Sequence, residues 1–480
     1  GKLMSGCDYN TVCRRNVCAD EPAESCGIFA FYGKEPVFPL IYRKLFAVQH
    51  RGQEGAGIVP SDGQEGRSVR GAGLLNEVFA GKSRETLPGH WGIGHVRYST
   101  TGNVRIQSVQ SLVVECVDGL WAIAHNGDLT NALRLRRMHQ QSGSIFQTST
   151  DSDVLVHLLA APHYRARPQR VGRTLPQHEG ALALVLTTRH CIMAARDRLS
   201  FGPLVTGRMG EATAFASETR ALKQIGAEYV RDLLLGDLIV ADQTGIHSST
   251  FADPPPDHLA QCVFEMVYFA RPDSVIFGRN VHQVRLEYGL RLAREHPVEA
   301  DIVIAVPDSG NSAGLGFSRG SGIPLDYAFI RNHYVGRTFI MPETDLREEG
   351  VDMKLAVLPE VVKGKRVVVV HDSIVRGTTA RRRVASLRKA GAREIHVRIS
   401  CPPYAIPTPS GSTSRRAPNS WRTSTMWTPF ANSSAPIRSG IRAWKVCFRP
   451  MRGATILVPP ALRATTPPMS PTWAAKTRWS

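Results

Sequence analysis

Residues 404–480 contain no aspartate or glutamate, and that gap decides how the charge of the chain is read. Eleven Lys or Arg lie there, and subtracting them from the formal total of +18 leaves +7 for the first 403 residues. That is ordinary for a soluble enzyme. With no recognition module or basic-aromatic platform in view, nucleic acid is excluded as a partner. No apolar run approaches 18 residues, and residues 1–25 lack the apolar core of a signal peptide, so neither a membrane partner nor secretion is expected. Nine cysteines, an odd number scattered over 480 residues with no C-x-x-C pair, argue against a disulfide scaffold or a zinc ribbon. A reducing, cytoplasmic setting is expected.

What the chain does contain is a centre of organisation at Arg366–Arg383, RVVVVHDSIVRGTTARRR. Four consecutive valines predict a strand buried on both faces of a parallel sheet. His371, Asp372 and Ser373 follow at its carboxyl end, where ligands of open α/β sheets bind. Arg376-Gly377-Thr378-Thr379 then opens a helical stretch. Such a turn offers free N–H groups, hydroxyls and a positive dipole end to a phosphate monoester. An acid just before it suits ribose hydroxyls or a hydrated Mg²⁺. An ordinary threonine-capped turn is the plainer alternative.

This stretch resembles the phosphoribosyl diphosphate (PRPP) signature of the type I phosphoribosyltransferases, most closely that of the amidophosphoribosyltransferase family. The family pattern has two acids before Ser-Ile-Val-Arg-Gly-Thr-Thr. Here His371 replaces the first and Asp372 remains.

At the other end, Cys26-Gly27-Ile28-Phe29 begins an alternating apolar strand after a polar stretch, residues 1–25. A cysteine there is either a small buried hydrophobe or, once its α-amine is exposed, a nucleophile carrying its own general base. The start resembles the N-terminal-nucleophile glutamine amidotransferases, and further segments match in order. Gln49–Gly57 resembles the early turn that places Arg51 near the nucleophile, and Gly94–Thr100 the segment whose Arg97 holds the glutamine carboxylate. His125-Asn126-Gly127 resembles the oxyanion hole. Thr150-Asp151-Ser152-Asp153 opens a helix. Its spacing alone predicts a capping box of Thr150 and Asp153, and the resemblance gives Asp151 the glutamine ammonium. From Gly180 to Asp242 strands alternate, except that Arg196–Leu204 lacks a proline, a glycine and an arginine of the family's turn, so turn chemistry should suffer.

Pro254–Pro256 reads as a linker, and Cys262–Ser274 resembles the approach to the transferase domain. After a helical stretch at Val281–His296 and a strand at Asp301–Ala305 comes a second glycine-bearing loop. Its Asp308, Ser309 and Gly310 are expected at diphosphate, with Asn311-Ser312 in place of Thr-Pro. Asn332–Ile340 resembles a loop that closes over the sugar phosphate, with His333 where a basic residue is usual, and Lys354 is a further diphosphate contact.

After Pro403 the resemblance stops. Residues 404–480 carry 11 prolines and five of the seven tryptophans, with neither helical nor strand periodicity. Read in a shifted frame, Met426–Gly440 and Ile456–Pro467 can encode text like the family's normal carboxyl end, including a C-x-x-C pair. The tail is therefore expected to be aberrant and unpacked.

The expected architecture is α/β. Residues 1–25 form a leader, 26–253 an αββα amidotransferase domain, 254–403 a parallel α/β transferase domain, and 404–480 the tail. The resemblance implies glutamine hydrolysis at Cys26, with Asn126 and Gly127 stabilising the oxyanion and Arg51, Arg97 and Asp151 holding glutamine. PRPP falls to Asp308, Ser309, Gly310, Lys354, Asp372, Ser373, Arg376, Gly377, Thr378 and Thr379, and Mg²⁺ to Ser309, His371 and Asp372. The product is 5-phosphoribosylamine, at the first step of purine synthesis. Purine nucleotides are expected as feedback inhibitors, and further copies of the chain as partners. Cys262 matches one ligand of the iron–sulfur cluster of one subclass, but with the other ligands missing no cluster is expected. Two rivals stay open: an amidotransferase with another ammonia acceptor, and a catalytically impaired homologue.

Overall fold

The computed structural model describes residues 26–63, 67–81, 87–98, 106–116, 119–148, 150–160, 167–252, 260–333, 355–374 and 378–401. The expected leader, linker and tail, with Lys354, Arg376 and Gly377, lie outside these residues.

Two antiparallel sheets carry the first half. Strands β1 (Gly27–Tyr32), β2 (Gly55–Ser61), β3 (Val69–Ala72) and β4 (Trp91–Arg97) come before β5 (Leu112–Cys116) and β6 (Gly119–Leu129). Then follow β7 (Gly180–Thr188), β8 (Cys191–Arg196), β9 (Val205–Met209), β10 (Ala212–Ala216), β11 (Glu228–Asp232), β12 (Asp237–Asp242) and β13 (Gly245–Thr250). One sheet has the order β11-β9-β10-β1-β4-β2-β3 and the other β13-β12-β8-β7-β6-β5. Alternation along β1 explains the layering. Ile28 and Ala30 join Ala122, Ala124, Ala183 and Val185 in a core between the sheets. Phe29 and Phe31 point the other way, onto helix Val37–Val48. The second sheet is covered by Leu155, Val156 and Leu159 of helix Asp151–Ala160. The result is four layers, αββα.

The short strands β14 (Val275–Ile276) and β15 (Arg279–Asn280) lead to β16 (Ile302–Ala305), β17 (Phe329–Arg331), β18 (Leu355–Val357), β19 (Arg366–His371) and β20 (Glu394–Ile399). Strands β16, β19 and β20 form a parallel sheet with β19 in the centre. The valine run behaves as expected of a strand covered on both sides. Val367 and Val369 pack with Val384 and Leu387, while Val368 and Val370 pack with Ala293, Ala313 and Phe317. Burying each such side chain stabilises the fold by roughly 1.5–3 kcal/mol.

The turn at 196–204 holds together despite its missing residues. Asp197, buried, accepts N–H bonds from Leu199 (2.9 Å), Phe201 (3.1 Å) and Leu182 (3.1 Å), and Arg196 donates to the carbonyl of Ser200 (2.8 Å). The loss appears at Ser200 instead, which takes the family's glycine position with φ +56°. A left-handed backbone costs an L-residue about 1–2 kcal/mol, part of which glycine would return through its freer unfolded chain. Ser200→Gly should therefore raise the thermal midpoint by about 1–3 °C in a chain of this size. A lowered midpoint would show that the serine conformation is not strained.

The capping box is not formed. Asp153 Oδ2 accepts from the N–H groups of Gln147 (3.1 Å) and Thr148 (2.8 Å), and the Thr150 N–H goes to Thr148 Oγ1 (3.2 Å). The acid reaches past the helix start because the preceding loop folds back over it.

Candidate active site

Cys26 sits at the mouth of β1, buried to 8% exposure. Its main-chain nitrogen donates to Asn126 Oδ1 (3.0 Å), and its carbonyl accepts from Arg51 Nε (3.1 Å). With Oδ1 occupied, the Asn126 amide has its Nδ2 free to serve a developing oxyanion. Gly127 follows at φ +154°, where a Cβ would lie 2.1 Å from the Ala181 carbonyl oxygen. No other residue fits there without moving β7.

A buried polar layer fixes this strand from behind. The His125 N–H donates to Gln110 Oε1 (2.6 Å), Gln110 Nε2 donates to Ser152 Oγ (2.9 Å), and His125 Nδ1 lies 3.3 Å from the same hydroxyl. His95, fully buried nearby, is pushed down to about 3 by burial and by Arg97, so it stays neutral.

Among the residues expected to hold glutamine, Arg97 ends β4 and donates to the Ser108 carbonyl. Asp151 accepts the N–H groups of Leu129 (3.0 Å) and Ser152 (2.8 Å), which ties it to the end of β6. Arg51 is placed differently. Its guanidinium is fully buried, donating through Nη1 to Glu218 (2.8 Å) and Glu265 (2.9 Å) and through Nη2 to Glu265 (2.5 Å). Burial would push Arg51 down, yet Glu265 and Glu218 hold it above its ordinary value. Sequence reasoning missed both glutamates. The signal for Glu265 was a lone carboxylate in the apolar run Cys262–Ala270, and Glu218 had none of that kind.

In the second half, the ends of β16 and β19 lie side by side, the Val306 N–H donating to the Val370 carbonyl (2.9 Å). This brings Ser309, His371, Asp372 and Ser373 together. Ser309 Oγ donates to Asp372 Oδ2, while Oδ1 meets His371 Nδ1 (2.5 Å) and the Ser373 N–H (2.5 Å). Burial raises the Asp372 carboxyl, but these partners, His371 first, hold it below the ordinary range. Gly310 packs with its Cα against main chain, and a Cβ would come 2.6 Å from the Val306 carbonyl. Asp308 pairs with Arg331 at the end of β17. Thr378 and Thr379 open helix Thr378–Lys389.

The donor set around Asp372 fits Mg²⁺ in part. Mg²⁺ is held by one or two carboxylates together with water and substrate phosphates, which Asp372 can satisfy. An imidazole is a poor ligand for it, and His371 Nδ1 faces Asp372. Cys262 lies in an apolar cluster with Phe264, Phe269 and Cys401. Among the described residues no group of three His, Cys, Asp or Glu side chains could hold a metal, and no helix is long and apolar enough to cross a membrane.

Residues 95–224 match the model of a glutamine amidotransferase domain. The chain is 45% identical to amidophosphoribosyltransferase 1, chloroplastic, of Arabidopsis thaliana, over 82% of this chain and 70% of that protein. It is 44% identical to the amidophosphoribosyltransferase of Bacillus subtilis, over 80% of each chain. The solved structure of the glutamine PRPP amidotransferase from B. subtilis, complexed with ADP and GMP, superposes with a TM-score of 0.76 at 44% identity. That match covers 81% of this chain and 85% of that one. A second structure, that of the allosteric regulatory enzyme of purine biosynthesis, superposes with a TM-score of 0.79 at 41% identity, covering 86% of this chain and 89% of that one. By these matches over most of its length, this chain belongs to the amidophosphoribosyltransferase family.

Proposed function

We propose that this chain makes 5-phosphoribosylamine from PRPP and glutamine, with Cys26 as the nucleophile of the glutaminase half. The observation that carries this reading is the grip on Cys26, whose nitrogen is held by Asn126 Oδ1 at the start of β1. A freed α-amine held there stays beside its own thiol and can take the thiol proton. The thiolate attacks the glutamine side-chain carbonyl, and the oxyanion is met by Asn126 Nδ2 and the Gly127 N–H. Ammonia leaves, and water releases glutamate from the thioester. Arg97 and Asp151 are assigned the carboxylate and ammonium of glutamine, and Arg51 the support of Cys26.

PRPP is assigned to the loops led by Ser309 and Asp372, with Arg376–Thr379 on its 5-phosphate and Lys354 on diphosphate. Mg²⁺, held by Asp372 with Ser309 nearby, would supply positive charge to the departing diphosphate. Ammonia then displaces diphosphate at the anomeric carbon. Purine nucleotides are proposed as regulators, a homo-oligomer as the assembly and the cytoplasm as the setting. The test is steady-state formation of phosphoribosylamine by purified protein given glutamine or ammonia. Turnover with both supports the reading, and turnover with neither contradicts it.

A second reading, an impaired transferase, rests on His371. The imidazole occupies the one carboxylate that ribose and metal need. His371→Asp restores a second charged acceptor. Hydrogen bonds to charged groups contribute about 1.5–3 kcal/mol against roughly 0.5–1.5 for neutral ones. A difference of about 1 kcal/mol predicts several-fold tighter PRPP binding by calorimetry with Mg²⁺. Equal affinities would show that the replacement is harmless.

A further inference from the structure

The buried charges around Arg51 do more than satisfy one another. Glu218 lies at the end of the strand text after β10, before helix Thr219–Lys223, and is fully buried. Besides Arg51 it meets His50 Nε2 (2.7 Å) and accepts from the Arg271 N–H (3.0 Å) and Ser274 Oγ (2.7 Å). Glu265 comes from elsewhere, at the head of the π-helical turn Glu265–Phe269 that leads out of the sandwich. Arg285 of helix Val281–Glu295 clamps that turn, donating to the carbonyls of Met266 (2.7 Å) and Ala270 (2.8 Å). An unbroken polar path therefore runs from Arg285 through the turn to Glu265, from Glu265 to Arg51, and from Arg51 Nε to the Cys26 carbonyl. Main-chain orientation at Cys26 sets where both thiol and amine point. Asn126 fixes the nitrogen side and Arg51 the carbonyl side.

We propose that Glu265 is a positioning residue for the nucleophile, aiming Cys26 through Arg51 so that the glutaminase geometry is completed only when the 260–270 segment is docked. The inference rests on the amidotransferase reading of Cys26. Glu265 reaches Cys26 through Arg51. Its bidentate contact with Arg51 decides which way the guanidinium presents Nε, a degree of freedom that Glu218 alone, meeting only Nη1, does not set.

The test is the rate at which an electrophilic diazoketone analogue of glutamine labels Cys26, followed by intact mass over a range of analogue concentrations. Ammonia-dependent phosphoribosylamine formation is measured on the same full-length preparations. Glu265→Gln should cut the limiting labelling rate at least tenfold, since misplacing a reacting group by about 1 Å can cost 10²-fold. The half-saturating concentration should move less than about threefold and the ammonia reaction should hold, because binding and transferase groups are untouched. A buried arginine deprived of one partner can also compromise folding. The paired variant Arg51→Met with Glu265→Met removes both charges and leaves Glu218 its other partners. It should melt near the parent temperature yet label as slowly as Glu265→Gln. Parent-like labelling in either variant would overturn the proposal, as would equal losses of labelling and ammonia-dependent turnover in Glu265→Gln. A parent never labelled at Cys26 would overturn the amidotransferase reading, and this inference with it.

Discussion

Cys26→Ala should abolish glutamine-dependent product formation, a loss of several orders of magnitude, while ammonia at high pH still drives the transferase reaction. The variant is a clean probe because the contacts that seat residue 26 use its main chain. The nitrogen bonds Asn126 and the carbonyl accepts from Arg51, and alanine keeps both. Losing one buried sulfur should cost on the order of 1 kcal/mol, too little to unfold the sandwich. Amino-terminal sequencing must accompany the assay, since an uncut segment ahead of residue 26 would block the α-amine and mimic the loss. Glutamine-dependent turnover in the alanine variant would mean that another group is the nucleophile.

Gly289→Ala should destabilise the other half. Helices Val281–Glu295 and Asn311–Ser321 touch through glycine. A Cβ on Gly289 would lie 1.9 Å from the Ala313 carbonyl oxygen, and one on Gly316 2.1 Å from that of Leu286. Alanine is favoured over glycine in a helix by about 1 kcal/mol. The clash wins, because main-chain atoms cannot rotate away and the helices must part, at a typical cost of about 1–3 kcal/mol and more where backbone is displaced. Helix Asn311–Ser321 starts directly after Ser309 and Gly310, so the shift also reaches the proposed diphosphate loop. The expected result is a lower unfolding midpoint together with weaker ammonia-dependent turnover. A higher midpoint would show that propensity dominates and that the helices do not pack as closely as described.

What the sequence disclosed follows from where the information is local. The valine run of β19, the alternation of β1 and the order of the Cys26, Asn126 and Asp151 segments are properties of consecutive residues, and the two strands form as expected. Glu218 and Glu265 are 47 positions apart in sequence and become one site only through Arg51, so no spacing could announce them. The resemblance assigned Arg51 to glutamine together with Arg97 and Asp151. The carboxylates it meets belong to the protein. Ser200 is a case of partial legibility: the missing glycine was visible, but the way Asp197 and Arg196 hold the turn was not. Asp153 shows the limit of short motifs, since a loop folded over the helix start outcompeted the expected box.

The proposed function requires one chain to join glutamine hydrolysis at Cys26 to diphosphate displacement at the Asp372 loop. The most direct measurement supplies glutamine labelled with ¹⁵N in its side-chain amide, together with PRPP, Mg²⁺ and unlabelled ammonium, at a pH where little free ammonia exists. Phosphoribosylamine carrying ¹⁵N, with glutamate and diphosphate released one to one, is the predicted result. Product that carries only unlabelled nitrogen, or glutamate released without diphosphate in the presence of PRPP, would contradict it.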